Sequence, residues 1–335
     1  MRNKELEQAI FSVKKPADFE KVALQVYNFQ YEHNQVYRAF CENLNKPKAK
    51  HTSEIPFLPI SFFKTHQVLT NSIEKDDVLS ETQNYEALFM SSGTTGTARS
   101  KHFIKRLDLY ELSFYKTFHS LIGNPEEVII CALLPNYLEQ GDSSLVYMVD
   151  KLIAATKNPL SGFYLHDTKA LITNLKKALS LGKRVILFGV SYALLDLAEE
   201  KHNLKGLEVI ETGGMKGRKK ELIREELHDL LQKGLSVEFI SSEYGMTELL
   251  SQGYLMKNGW FQCAPWMKIL IRDVNDPFSF LTEGRTGGIN VIDLANIYSC
   301  SFIATDDLGV SNGKDFKVLG RFDNSDIRGC NLLIQ

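Results

Sequence analysis

The sequence predicts an α/β fold in which parallel βαβ units carry a smaller antiparallel part at the C-terminal end. Two patterns carry that expectation. Between residues 128 and 241, short apolar runs alternate with stretches whose apolar residues recur at helical spacing. From Gly259 onward the pattern changes to short strands separated by turn signals such as NDP, EGRTGG and SNGKD. With 44% hydrophobic residues in 335, the chain has enough apolar material for a large core.

Residues 1–50 read as a helical N-terminal cap, with Phe19, Val22, Leu24, Val26, Tyr27 and Phe29 on a mixed apolar face. Residues 55–69, IPFLPISFFKTHQVL, form an extended arm, because Pro56 and Pro59 forbid a regular helix. Its Phe57, Phe62 and Phe63 are expected in the core, and Lys64 and His66 on the surface or facing a site. Asp108 with Glu111 three residues on reads as a capping box. Leu112, Tyr115, Phe118 and Ile122 continue that helix. Val128–Leu134 reads as a buried strand closed by Pro135. A helix follows from about Asp142 and another over 168–181. Next come a strand over Arg184–Phe188, a helix near 191–201, a strand over Leu207–Glu211, a helix near 218–232 and a strand over Val237–Ser241. The later short strands are Lys268–Ile271, Gly288–Ile292, Ser301–Ala304 and Phe316–Gly320. This divides the chain into a cap (1–50), an α/β nucleotide-binding core (51–258) and a β-rich part of the same domain (259–335).

Composition narrows the function. A formal net charge of −2 argues against bulk electrostatic binding of nucleic acid. The five cysteines, Cys41, Cys131, Cys263, Cys300 and Cys330, never form a C-x-x-C pair, which argues against a zinc site or disulfide framework and fits a reducing compartment. The N-terminus MRNKELEQAI has no signal-like apolar core, and no apolar run approaches the roughly 20 residues of a membrane span. The expectation is a soluble cytoplasmic protein.

The chemistry gathers in five stretches. Phe89–His102, FMSSGTTGTARSKH, sets Ser91, Ser92, Thr94, Thr95 and Thr97 around Gly93 and Gly96. Gly permits backbone conformations that turn N–H groups inward, and Arg99 and Lys101 add positive charge, so the loop suits phosphate. It lacks the lysine after the second glycine of the common NTPase loop, and on composition alone it is equally a hairpin or a solvated linker. Glu211–Gly217 ends one strand with Gly213 and Gly214, which let a flat ring approach. Ser242–Glu248 ends the next with Tyr244, Thr247 and Glu248, an aromatic, a hydroxyl and a hard-cation ligand. Thr305–Gly309, TDDLG, reads as a turn whose carboxylates suit a ribose. Gly320–Asp326, GRFDNSD, comes last. Read singly, each is an ordinary turn.

Their order resembles that of the adenylate-forming enzymes: SSGTTGTARSKH, ETGGMKG, YGMTE, TDDLG and GRFDNSDIRG. Within that superfamily FLPISFFKTH, LLPNYLEQGDSSLVYMVD, FGVSYALLDLAE and CAPWMKILIRD are similar to the LuxE-type acyl-protein synthetases, with phenylacetate–CoA ligases as relatives. The resemblance covers roughly residues 50–335 and implies the N-terminal-domain fold of that superfamily. It implies ATP and Mg²⁺ as cofactors. Ser92, Gly93, Thr94, Thr95 and Gly96 would then cradle phosphates, and Gly213, Gly214 and Tyr244 would meet adenine. Thr247 would touch the α-phosphate, Glu248 would bind Mg²⁺, and Asp307 and Arg321 would hold the ribose. The superfamily's mobile lid with its lysine is not expected here, since nine residues follow Asp326. Arg99, Lys101 and Lys64 are the candidates to stand in for that lysine. The implied reaction is activation of a carboxylic, expectedly fatty, acid to an acyl-adenylate, followed by transfer to a protein thiol. Cys330, in IRGCNLLIQ, is the implied acceptor, and it equally fits a buried position in a final strand. A reductase-type protein or an acyl carrier protein would then take the acyl group. A carboxylate–CoA ligase and a non-catalytic nucleotide-binding subunit are the alternatives.

Overall fold

The computed structural model describes residues 3–71, 85–92, 98–135, 141–213 and 222–322. Three helices open it: α1 (Asn3–Phe11), α2 (Pro16–His33) and α3 (Gln35–Asn43). Pro16 stands in the first turn of α2, where its missing N–H costs nothing. The Asn34 side chain accepts from Tyr37 N–H at 2.9 Å and starts α3. Two fully buried amides tie this cap to the body. Gln30 Nε2 donates to the carbonyls of Asn296 (3.0 Å) and Ile297 (2.9 Å), and Asn34 Nδ2 donates to Ser299 O (2.9 Å).

The aromatic arm forms β1 (Leu58–Pro59) and a single turn, α4 (Phe62–Thr65). Phe57 and Phe63 are buried as expected, while Phe62 is half-buried and stacks on His66. The stretch around the Ser/Thr/Gly loop folds as a hairpin, β2 (Ala87–Met90) and β3 (Lys101–Ile104), paired Phe89 to His102 and Met90 to Lys101. The following helix, α5 (Leu107–Leu121), begins without the expected capping box. Arg106 is its N-cap residue, and Asp108 in the first turn instead accepts from Arg106 Nε at 2.8 Å. The helix starts earlier than the capping box requires, so Asp108 is its second residue and its carboxylate is taken by the arginine.

The βαβ run then follows in order: β4 (Ile129–Leu133), α6 (Ser144–Thr156), β5 (Gly162–Phe163), α7 (Thr168–Ser180), β6 (Val185–Val190), α8 (Ser191–Glu199), β7 (Glu208–Thr212), α9 (Arg224–Leu235) and β8 (Ile240–Tyr244). β4 and β6 are buried at every position, the pattern of strands covered on both faces. β8 starts later than the apolar run suggests, because Ser236 closes α9 in the left-handed conformation at φ 58°. After it come β9 (Gly253–Leu255), β10 (Phe261–Cys263), β11 (Met267–Arg272), β12 (Gly287–Asp293), β13 (Phe302–Ser311) and β14 (Phe316–Arg321).

One twelve-stranded sheet results, in the order β11-β12-β13-β14-β10-β9-β8-β7-β6-β4-β5, with β1 beside β13. β8 is the switch: β7 lies parallel on one side and β9 antiparallel on the other. The carboxyl ends of β7 and β8 therefore open beside the antiparallel strands.

The TDDLG stretch is corrected by the sheet. It is no turn but the middle of β13, paired with β12 and β14, with a register shift between Leu308 and Gly309. A side chain at Gly309 would meet Lys317 O at 2.5 Å, so glycine is needed for close strand approach. Aspartate and glycine mark bulges as well as turns, which is why composition misreads the segment.

Candidate active site

The hairpin is strapped shut just outside its loop. Ser91 N–H donates to Ser100 O at 3.1 Å, and Ser100 N–H donates to Ser91 Oγ at 2.9 Å. Arg99 donates to Ser91 O and pairs with Asp142 at 2.8 Å, so its charge is committed to holding the hairpin against the start of α6. Ser92 is exposed at the loop's edge, and Lys101 projects from β3, also exposed. Gly93, Thr94, Thr95 and Gly96 lie outside the described residues, as do Gly214 and Cys330.

At the end of β7 the backbone turns through Gly213, whose φ of 69° is costly for any residue with a Cβ. Ser191 at the start of α8 donates to Gly213 O at 2.7 Å and holds that turn. Below it the buried Glu211 carboxylate accepts from Ser242 Oγ at 2.7 Å, with Ser191 Oγ at 3.0 Å and His228 Nε2 at 3.6 Å. The next strand end holds a second carboxyl. Burial pushes Glu243 up to about 7, with the nearby Glu211 charge raising it further and a hydrogen bond from Thr212 opposing.

β8 ends at Tyr244, which is buried between Phe316 and Phe261 with both rings edge-on. Its hydroxyl donates to Asp307 Oδ2 at 2.9 Å. The other carboxylate oxygen of Asp307 accepts from Arg321 Nε at 3.1 Å, from the register position directly across on β14. Thr305 Oγ1 accepts from Asp307 N–H at 3.1 Å, and Arg272 on β11 donates to Thr305 O at 2.6 Å. Asp307 is thus held by side chains from β8 and β14 and by Thr305 of its own strand, while 78% of the Arg321 side chain remains exposed beside it.

Past Tyr244 the chain turns through half-buried Thr247 into Glu248, which is only 4% exposed. Burial raises the Glu248 carboxyl above the ordinary glutamate range. A hydrogen bond from Ser100 and the charges of Arg321 and Lys64 pull it back. Within one neighbourhood stand Glu248, Ser100, Arg321, Asp307 and Tyr244, with Lys64 close enough to act on Glu248. The Glu248 carboxylate is the group here that could hold a hard divalent cation, which takes one or two carboxylates and fills its remaining positions with water and phosphate oxygens, while the Arg321 and Lys64 charges suit the phosphates rather than the cation.

Of the residues expected from sequence, the structure links Tyr244 at the end of β8 to Asp307 in the middle of β13 and Arg321 at the end of β14, with Thr247 and Glu248 in the turn after β8 and Gly213 at the end of the neighbouring β7. Arg99 stands apart in its ion pair with Asp142. Sequence reasoning overlooked Ser100, Glu243, His102 and Asn296. Ser100 and His102 stand inside the loop motif, where their spacing from the glycines was the available signal. Asn296, within IDLANIYS, carries none.

The model of the family described as "Acyl-protein synthetase, LuxE" matches residues 147–335. Two curated proteins named long-chain-fatty-acid–luciferin-component ligase are similar along nearly the whole chain. The one from Vibrio harveyi is 25% identical over 91% of this chain and 84% of its own length. The one from Aliivibrio fischeri is 22% identical over 93% and 86%. Among solved structures, 2-hydroxyisobutyryl-CoA ligase in an open conformation, with 2-HIB-AMP and CoA, shares the fold. Its TM-score is 0.63 at 13% identity, covering 93% of this chain and 77% of that one. ATP-bound MatB from Rhodopseudomonas palustris aligns at a TM-score of 0.50 and 16% identity, over 70% and 48%. The family match takes in more than half of the sequence, including β7, β8, β13 and β14 with their strand-end residues, and by it the chain belongs to the LuxE family of acyl-protein synthetases.

Proposed function

We propose that this protein activates a long-chain fatty acid with ATP and passes the acyl group to a protein thiol. The observation that carries the reading is the convergence of Glu248 and Tyr244 at the carboxyl end of β8 with Asp307 from the middle of β13 and Arg321 from the end of β14. The names of the curated relatives, which are fatty-acid ligases, and the family's description support it. The structural neighbours bound to 2-HIB-AMP or to ATP support the nucleotide.

In the first step an oxygen of the fatty carboxylate attacks the α-phosphorus. The bond from that phosphorus to the bridging oxygen breaks, and pyrophosphate leaves with the electron pair. Asp307 accepts the ribose hydroxyls and fixes the nucleotide, its orientation set by Tyr244 and Arg321. Thr247 donates toward the α-phosphate. Arg321 and Lys64 place positive charge where negative charge builds on the phosphates. Bound at Glu248, Mg²⁺ supplies further neutralisation of the phosphate oxygens. In the second step a thiolate attacks the acyl carbon, the bond to the AMP oxygen breaks, and AMP leaves as the thioester forms. The thiol proton passes to solvent. A carrier or reductase-type protein then receives the acyl group.

The test is pyrophosphate release over a panel of straight-chain and aryl acids, with and without coenzyme A. Release with long-chain acids, and hydroxylamine-sensitive acyl label on protein, is the expected result. Label on coenzyme A alone points instead to a carboxylate–CoA ligase. No release with any acid leaves a nucleotide-binding subunit.

A further inference from the structure

The carbonyls of Thr247 and Glu248, two successive residues of the proposed catalytic turn, are both held by side chains that never reach the nucleotide region. His102 on β3 is completely buried, and its Nδ1 lies 2.7 Å from Thr247 O. Its Nε2 lies 3.0 Å from Asn296 Oδ1. Asn296 stands in the 3-10 turn Leu294–Asn296 between β12 and β13 and is also buried. Its Nδ2 donates to Glu248 O at 2.8 Å and to Cys300 O at 2.9 Å. Gln30 on α2 in turn donates to Asn296 O.

The donor count is informative. A carbonyl only accepts, and so does the Asn296 amide oxygen, so each ring nitrogen of His102 faces an acceptor: Nδ1–H donates to Thr247 O, and the Nε2 contact is met only when that nitrogen also carries a hydrogen. Asn296 has spent both of its N–H groups on carbonyls. Exchanging its amide oxygen and nitrogen would set an oxygen against two carbonyl oxygens. The arrangement is therefore directional: ring to Thr247, amide to Glu248. Burial pushes His102 down to about 4, and the hydrogen bonds to Thr247 and Asn296 oppose that shift. Phe63 packs its ring edge-on to His102 at 5.6 Å and closes off rotation.

We infer that His102 and Asn296 are positioning residues. They pin the Thr247–Glu248 main chain to the phosphate hairpin and to the β12–β13 connection, so that the Glu248 carboxyl meets Ser100 and the Thr247 hydroxyl faces the α-phosphate. The assignment rests on the adenylation reading above. His102 lies three residues beyond Arg99 on the strand that leaves the loop, and the same ring grips the turn that carries Glu248. Strand β3 and the turn are thus tied together through the His102 ring. Displacement of the turn by an ångström would misplace Thr247 and Glu248 and leave Asp307 and Tyr244 undisturbed.

Three substitutions separate positioning from mere filling. In His102→Asn the side-chain amide stands where Nδ1 stands and keeps a donor toward Thr247 O. His102→Leu keeps comparable bulk without a donor. Asn296→Asp removes both donors from Glu248 O and Cys300 O. With ATP, Mg²⁺ and a straight-chain fatty acid panel, His102→Leu and Asn296→Asp should lower the pyrophosphate-exchange kcat by roughly tenfold to a hundredfold. The KM for ATP should stay within about twofold, since the ribose contacts are untouched. His102→Asn should recover most of the loss. Equal losses in His102→Asn and His102→Leu, or a KM for ATP rising in step with the fall in kcat, would overturn the inference.

Amide hydrogen exchange gives a second reading that needs no turnover. The Leu249–Gln252 amides, two of which donate to Asp293, should exchange faster in His102→Leu than in wild type or His102→Asn. Unchanged exchange in His102→Leu would also overturn the inference. A wild-type protein inactive with every acid would defeat the adenylation reading, and the exchange data would still decide the positioning role.

Discussion

The Tyr244 hydroxyl donates to Asp307 Oδ2 at 2.9 Å, joining the last residue of β8 to the middle of β13. Those two strands are separated in the sheet by β9, β10 and β14. The bond spans the twisted sheet and leaves Asp307 with one oxygen on Tyr244 and the other on Arg321. Burial, with the Asp307 charge second, pushes the Tyr244 phenol well above its ordinary range, so it remains a donor throughout the working pH.

Asp307→Ala should therefore weaken ATP binding by roughly tenfold to a hundredfold, the loss of a charged acceptor worth about 1.5–3 kcal/mol. Tyr244→Phe should weaken it less, because Arg321 still orients the carboxylate. Isothermal calorimetry with ATP checks both. An Asp307→Ala protein with wild-type affinity would remove the ribose assignment.

Glu248→Gln should leave the fold intact and abolish Mg²⁺-dependent pyrophosphate release. The substitution is nearly isosteric, retains an acceptor for Ser100, and removes the charge a divalent cation needs. Because burial already raises this carboxyl, the neutral amide should cost no stability and may be compared with wild type by urea unfolding at pH 7. Normal Mg²⁺-dependent turnover in the variant would refute the metal role.

Glu243 gives a pH prediction. Its carboxyl is pushed up to about 7 in the folded protein, against 4.5 for the ordinary side chain. Between those values the unfolded chain has lost the proton and the folded chain has kept it. The native state binds more protons, so the stability contributed by this group is whole below pH 4.5 and declines as pH rises to 7. The full decline is on the order of 3 kcal/mol. Glu243→Gln keeps an acceptor for Thr212 and should be the more stable protein at pH 7. The difference from wild type should vanish toward pH 4. Parallel pH–stability curves for the two proteins would remove the assignment.

The βαβ run was legible because β4 and β6 are continuous apolar stretches and α6 and α7 repeat at helical spacing. β9 and β10, three residues each, are too short to show a period, and they become strands only because β8 and β14 offer edges to pair with. The hairpin β2–β3 was one of the readings the composition left open, and the sequence alone did not select it. Its residues alternate weakly, and its closure depends on Arg99 reaching Asp142, far along the chain. At the site, side chains that would meet the nucleotide follow a recognisable order along the sequence. His102 and Asn296 act on main-chain carbonyls, and a carbonyl leaves no mark on the sequence of its partner.

The acyl acceptor yields the last prediction. Four of the five cysteines are described, and all four are poorly disposed to act as nucleophiles. Cys41 and Cys131 are buried, and burial pushes each thiol up to about 12. Cys263 and Cys300 are raised as well, again chiefly by burial. At neutral pH their thiolate fractions are negligible, and the thiolate is the attacking species. Cys330 lies outside the described residues, and Arg328 stands two positions before it in the sequence. Wild-type protein given ATP, Mg²⁺ and a long-chain fatty acid should gain one hydroxylamine-sensitive acyl group, located at Cys330 by peptide mass spectrometry. Cys330→Ser should still release pyrophosphate in the first turnover, because the adenylation residues are intact, and should form no thioester. Label on Cys41, Cys131, Cys263 or Cys300 would contradict the burial argument. Label confined to added coenzyme A or a carrier protein would move the acceptor off this chain.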